Sequence, residues 1–237
     1  MIRLFNQDAR VFIEDCEDEY DCIFMDPPDN IGLKYHGVLD KKDDYYGWLE
    51  HLIMESMLKC KVLWISYYWK HDIEIKYLVR RILHNYHPSW TVKNFIWKFN
   101  FGQHCYTDCG SGYRNILRLA RYDWNWNTDA IKVESVRQQV NDPRAAKGGK
   151  VPLDVWEFPR VTGNSTERRS WHPTQHPEAL LTRLYKLSNC KTVLDLFVGS
   201  GTSIRVCKRL NIDLDCVELS DYYCEQLEKE HKILRSK

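Results

Sequence analysis

The sequence predicts an α/β fold, a largely parallel sheet covered by helices on both faces. Strand-like and helix-like segments alternate at both ends of the chain, the pattern of βαβ units. A strand-like run at 192–197 passes through Gly199 and Gly201 directly into a helical segment, as at the carboxyl edge of such a sheet. The chain has 237 residues, 43% of them hydrophobic, enough for one sizeable core with little left for a second. A single domain over 1–237 is expected.

Each element follows from its pattern. A short strand at 3–5 precedes a helical turn at 8–15, and a buried-type strand at 21–25 runs straight into Asp26, Pro27 and Pro28. A loop extends to about Lys42. Asp43 and Asp44 then cap a helix in which Trp48, Leu49, Leu52, Ile53 and Met57 recur at helical spacing. A strand at 62–67 and an amphipathic helix at 73–85 come next, followed by β-rich segments at 91–99 and 113–121 that suit a hairpin or edge pair. Residues 122–172 lose periodicity, are rich in Gly, Pro, Asn, Ser and basic side chains, and read as an irregular insert. A loop this long in a compact domain is usually functional or disordered. Order returns with a helix at 177–188, a strand at 192–197, a helix at 202–210, a strand at 214–219 and a charged terminal helix from Asp221.

Composition narrows the function classes. No run of about 18 apolar residues occurs, and the first eight residues lack the apolar stretch of an export signal, so a soluble, cytoplasmic protein is expected. The nine cysteines have no paired CxxC spacing; His104, Cys105 and Cys109 lie close together but lack a second ligand pair, so no metal site is expected. Formal net charge is only +1, yet it is unevenly spread: residues 1–60 carry 6 basic and 14 acidic side chains, residues 61–130 carry 10 and 5, and residues 131–172 carry 8 and 5. A positive middle suits a polyanionic partner, although an ordinary solvated surface has the same look.

Leu194, Asp195, Leu196, Phe197, Val198, Gly199, Ser200, Gly201 and Thr202 form a strand, turn and helix start. Glycine allows close backbone approach, and the free amides of the helix start can receive polar ligand atoms. Glu218 ends the next strand, where a carboxylate can accept both hydroxyl hydrogens of a ribose. The run lacks the third glycine of a dinucleotide fingerprint and the Gly-Lys-Ser/Thr of a P-loop.

Together with Asn6, Gln7 and Asp8, with Asp26, Pro27 and Pro28, and with Trp171, His172, Pro173, Thr174 and Gln175, these residues resemble the β group of amino-methylating DNA methyltransferases, in which the catalytic motif precedes the cofactor motif. The resemblance covers nearly the whole chain. It implies a class I S-adenosylmethionine-dependent methyltransferase fold, circularly permuted, with a mixed seven-stranded, mainly parallel sheet. By the same carry-over Phe197, Gly199, Ser200, Gly201 and Thr202, with Asp195, would surround the methionine part of S-adenosylmethionine and Glu218 its ribose. Asp8 and Ala9 would lie near its adenine, and Thr174 and Gln175 would hold its carboxylate, with Asp26 at the junction.

The implied reaction is methylation of adenine N6 in DNA, with cytosine N4 as the alternative, because Asp26 stands where cytosine N4 enzymes more often carry Ser. An exocyclic amine is a weak nucleophile whose lone pair is delocalised, so the enzyme must stabilise it as it pyramidalises. Asp26 and the Pro27 carbonyl can accept its two N–H bonds, Pro28 keeping the segment rigid. The base would be flipped out of the duplex, and transfer would be direct and in-line. Family members usually place an aromatic after the two prolines to stack on the base; this sequence has Asp29. Tyr35 is near enough to substitute, or is a packing tyrosine. Asp29 fits an unusual substrate or an inactivated enzyme, and a catalytically silent DNA-binding module is the alternative of another class. Methylation of RNA or protein fits the motif order less well. Target recognition would fall to 122–172, where Arg137, Arg144, Lys147, Lys150, Arg160, Arg168 and Arg169 could reach phosphates or bases. DNA is the expected partner; a homodimer and a restriction endonuclease, in a restriction-modification pair, are further expectations.

Overall fold

A computed structural model describes residues 1–99 and 105–236. Strand β1 (Ile2–Asn6) leads to Asp8, whose side chain accepts from the Arg10 amide and caps α1 (Ala9–Asp15). Strand β2 (Tyr20–Met25) delivers Asp26 to the carboxyl edge of the sheet. Within the expected loop lies a two-stranded hairpin, β3 (Lys34–Tyr35) with β4 (Val38–Leu39). Buried Asp40 pins its entry by accepting from the amides of Ile31 and Gly32. Asp44 caps α2 (Tyr45–Leu58), and β5 (Cys60–Tyr67) follows. A 3-10 turn, Trp69–His71, then opens α3 (Asp72–Asn85).

Strands β6 (Trp90–Lys98) and β7 (Tyr113–Arg121) pair antiparallel through nine residues each. Helix α4 (Val136–Gln139), held by a Ser135/Gln138 capping box, and β8 (Val155–Glu157) come from the segment read as irregular. The chain closes with α5 (Glu178–Ser188), β9 (Thr192–Asp195), α6 (Thr202–Leu210), β10 (Asp213–Glu218) and α7 (Asp221–His231). Asn189, Asn211 and Lys232 end α5, α6 and α7 in the left-handed conformation that stops a helix.

The main sheet runs β1-β10-β9-β2-β5-β7-β6-β8. The first five strands are mutually parallel; β7 is antiparallel to β5 and to β6, and β8 is parallel to β6. The expected seven-stranded sheet is thus corrected to eight strands among the described residues. The extra strand, only three residues long, is too short to show a period. It forms because Val155, Trp156 and Glu157 meet the open edge of β6 while Trp156 is buried to 1% exposure.

Alternate side chains of the central strands enter two cores, one on each face. Cys22, Phe24, Val62 and Trp64 pack with α5 and α6, whereas Ile23, Met25, Leu63 and Ile65 pack with α1, α2 and α3. Among the described residues no helix is long and apolar enough to cross a membrane.

Candidate active site

Parallel strands β1, β10, β9, β2 and β5 all end at one edge, and antiparallel β7 begins there. A cavity of about 450 Å³ opens along that edge, lined on one side by the glycine turn after β9 and on the other by the Asp26 segment. Although 169 residues separate Asp26 from Asp195 in sequence, β2 and β9 are hydrogen-bonded neighbours, so the two motifs share one cavity.

The glycine turn is built from within. Buried Asp195 accepts from the Phe197 amide at 3.0 Å through Oδ1 and from the Ser203 hydroxyl through Oδ2. Both oxygens therefore hold the turn. Burial pushes the Asp195 carboxyl up to about 7. Gly199 (φ +46°) and Gly201 (φ +75°) lie in the left-handed region, and a Cβ on Gly199 would stand 2.9 Å from Nε2 of His172. The backbone there needs glycine for both conformation and space. Glu218, at the end of β10, accepts from the amides of Ser220 at 2.8 Å and Gly199 at 3.1 Å. Burial pushes its carboxyl up to about 7 as well, against those two hydrogen bonds.

Asp8, Ala9, Phe197, Ser200, Thr202, Thr174 and Gln175 line the same cavity, where the sequence placed them. Gln175 also organises its own loop, donating to the Glu167 carbonyl at 2.7 Å and accepting from the Arg169 amide at 3.1 Å. The hairpin reaches across this half: His36 stacks on Tyr222 of α7 with ring centroids 3.5 Å apart, and Tyr35 lies 6.0 Å from His172. Tyr35 thus stands beside the glycine turn.

The opposite half is dominated by a residue the sequence reading passed over. Arg114, second residue of β7, donates from Nη2 to Asp26 Oδ1 at 2.7 Å, from Nη1 and Nη2 to the two Asp29 oxygens at 2.9 Å each, and from Nε to Ser66 Oγ at 2.7 Å. Ser66 in turn contacts His176 Nε2 at 3.0 Å, and His176 Nδ1 stands 3.4 Å from Asp26 Oδ2. Burial lowers the His176 pKa, so the ring is neutral at neutral pH. With Ser66 accepting from Arg114 and donating to Nε2, the proton of His176 resides on Nδ1, toward Asp26. Burial works to raise the Asp26 pKa, but the Arg114 charge, with His176 and Ser66 beside it, more than offsets this and holds the carboxyl below the ordinary value. The backbone of Asp29 is fixed too, its carbonyl lying 2.8 Å from Nε2 of His71, whose Nδ1 meets the Tyr46 hydroxyl at 2.9 Å. Trp97, Phe99, Tyr68 and Tyr113 complete this wall.

The remaining basic candidates divide. Arg168 donates to the carbonyls of His172 and Pro173, and Arg169 pairs with Glu230 at 2.6 Å, so both brace the loop ahead of the cavity. Arg144 pairs with Asp142; Arg144, Arg137 and Lys147 are exposed and away from the cavity lining. Arg160, by contrast, lines the cavity with its guanidinium 5.3 Å from the Phe99 ring centre. No cluster able to hold a metal occurs among the described residues, and His104 of the Cys105/Cys109 group lies outside them. Arg114 left one signal in sequence, a charge recurring with Arg118 inside an otherwise apolar strand.

An α/β sheet with a glycine turn and an Asp-Pro-Pro segment at one edge defines a class of amino-group methyltransferases, and the comparisons agree. The chain belongs to the DNA methylase family of the N6/N4 type, whose sequence model matches residues 20–229. The chain is similar to the DNA adenine methyltransferase YhdJ of Escherichia coli (strain K12), 32% identical over 199 residues that cover 77% of this chain and 66% of that protein. It is likewise similar to the type II methyltransferase M.HpaI of Haemophilus parainfluenzae, 30% identical over 220 residues, 88% of this chain and 67% of that protein. The chain spans about two thirds of the length of these curated relatives. Among solved structures, the M1.HpyAVI–SAM complex shares the fold with a TM-score of 0.68 at 20% identity, covering 98% of this chain and 100% of that one. The modification methylase TTHA0409 of Thermus thermophilus does so at 0.64 and 18% identity, covering 98% and 94%.

Proposed function

We propose that the chain is a DNA methyltransferase that uses S-adenosylmethionine to methylate adenine N6 of a flipped base by direct in-line transfer. The observation that carries this reading is the single cavity that joins the Asp26, Pro27 and Pro28 segment to the glycine turn. S-adenosylmethionine supplies an electrophilic methyl group when bound. The residues fit it. Gly199 leaves backbone space that a side chain would fill, and each Glu218 oxygen keeps a lone pair for a ribose hydroxyl beyond the amide it already binds. Asp8 and Ala9 line the adenine end, and Thr174 and Gln175 the amino-acid end.

On the acceptor side Asp26 retains lone pairs for an amine N–H, and the Pro27 carbonyl offers a second acceptor on a rigid segment. The two draw electron density toward nitrogen as it pyramidalises. Because Arg114 keeps Asp26 ionised, no proton competes for the amine. Adenine is preferred over cytosine N4 on Asp26 itself, and the 32% identical relative described as a DNA adenine methyltransferase supports that choice. Target reading is assigned to 122–172, with Arg160 at the cavity mouth and exposed Arg137, Arg144 and Lys147 as phosphate contacts.

The test is transfer of labelled methyl from S-adenosylmethionine to mixed-sequence DNA, followed by nucleoside mass spectrometry, with Asp26→Ala as control. N6-methyladenine lost in the variant supports the reading; N4-methylcytosine changes the base. No incorporation despite cofactor binding overturns it in favour of a silent DNA-binding module.

A further inference from the structure

Arg114 is the one side chain that touches both carboxylates of the acceptor half. Four of its five N–H groups are used, on Asp26, on both Asp29 oxygens and on Ser66. Its side chain is 15% exposed, Asp29 is 19% exposed, and the Asp29 backbone is tied to His71. A planar, always-charged guanidinium held this way cannot swing aside, and neither can the carboxylate that holds it.

We propose that Arg114 is a positioning residue for the acceptor pocket: it fixes Asp26 through Oδ1, and Asp29 is its counter-ion, so position 29 braces the pocket and offers no face to an acceptor base. The geometry explains why a carboxylate is needed there. One guanidinium against Asp26 alone would leave Nη1 and half of Nη2 buried without acceptors, a costly state for a charged group. With Asp29 present, Asp26 is oriented by a donor fixed at three other points. One Asp26 oxygen is thereby committed to Arg114, and Oδ2, facing His176 across 3.4 Å, is left for the acceptor amine.

The positioning claim rests on the methyltransferase reading, but its structural core has a readout independent of activity. Arg114→Met, Arg114→Lys and Asp29→Asn would each be compared with the unaltered chain in S-adenosylmethionine binding, in the pH profile of kcat for DNA methylation, and in the carboxyl pKa of Asp26 followed by 13C NMR. Cofactor affinity should change less than about twofold, because Arg114 touches only the acceptor half. In Arg114→Met, kcat should fall by about 10- to 150-fold, the ordinary worth of a charge-assisted hydrogen bond. The acid limb of its profile should move to higher pH together with the Asp26 titration. Lys should restore the pH profile in part, and Asp29→Asn should fall between. Should Arg114→Met fail to fold, the Lys and Asn variants carry the same comparison. Unchanged kcat and an unchanged Asp26 titration in Arg114→Met, or in Arg114→Lys and Asp29→Asn together, would overturn the proposal. Should the unaltered chain methylate no DNA, the methyltransferase reading fails by itself, while the Asp26 titration still decides whether Arg114 governs that carboxylate.

Discussion

Both carboxylate oxygens of Asp29 accept from Arg114, at 2.9 Å from Nη1 and 2.9 Å from Nη2, in a two-pronged ion pair at the floor of the acceptor pocket. Restoring the aromatic that the family resemblance would place there should therefore harm the protein. Asp29→Tyr removes two charge-assisted hydrogen bonds from a largely buried guanidinium and should cost about 2–4 kcal/mol of stability. Urea denaturation monitored by tryptophan fluorescence checks this; a variant as stable as the parent would contradict it.

Gly199→Ala should impair cofactor binding by distorting the turn. Its φ of +46° is unfavourable for alanine, and the added methyl would meet His172 at 2.9 Å. The conformation alone costs about 1–2 kcal/mol. A weakening of roughly tenfold or more in the S-adenosylmethionine Kd by calorimetry is expected, with the circular dichroism spectrum retained.

Glu218 gives cofactor binding a pH dependence of definite sign. Its carboxyl is pushed up to about 7 by burial, so below that value it carries a proton and loses an acceptor that ribose hydroxyls need. Affinity should rise with pH between about 6 and 8, by up to about tenfold per unit on the acid side. Glu218→Gln should bind weakly and without that slope.

Stability of the ligand-free protein should run the other way. Asp195 and Glu218 both bind protons more tightly folded than unfolded, so their contribution is full below the unfolded carboxylate value and is lost as pH rises through about 7. His172, lowered to about 4 chiefly by burial, adds the opposite dependence, its contribution fading as pH falls through that value. The melting temperature should therefore peak in mildly acidic solution and decline toward pH 8. Asp195→Asn should flatten the alkaline decline.

Trp156 tests the division of the 122–172 segment. Buried at 1% exposure against Trp64 and Phe95, it belongs to the core and not to a DNA-reading surface. Trp156→Ala should cost about 3–5 kcal/mol of stability. Arg160→Ala, at the cavity mouth, should instead leave stability within about 0.5 kcal/mol and weaken DNA binding.

Much of the architecture was legible because it repeats. Strand β2 and the helices α2, α5 and α6 carry long apolar patterns, and their predicted bounds fall within a few residues of those found. Short elements were not legible. The β3–β4 hairpin and β8 have two or three residues per strand, too few for a period, and exist because a buried Asp40 or a buried Trp156 fastens them. Arg168 and Arg169, read as DNA contacts, instead brace the loop at His172 because local carbonyls and Glu230 lie within reach.

By itself the sequence determined the α/β order, the two motifs and the residues along the cofactor half, since these depend on local pattern and on glycines whose backbone needs no distant partner. Tertiary structure decided the acceptor half. Asp26 and Asp29 lie 88 and 85 residues from Arg114, and they meet because β7 runs antiparallel beside β5 and begins at the edge where the parallel strands end. An ion pair of that kind has no period and no local spacing, so only the pairing of the strands brings its charges together.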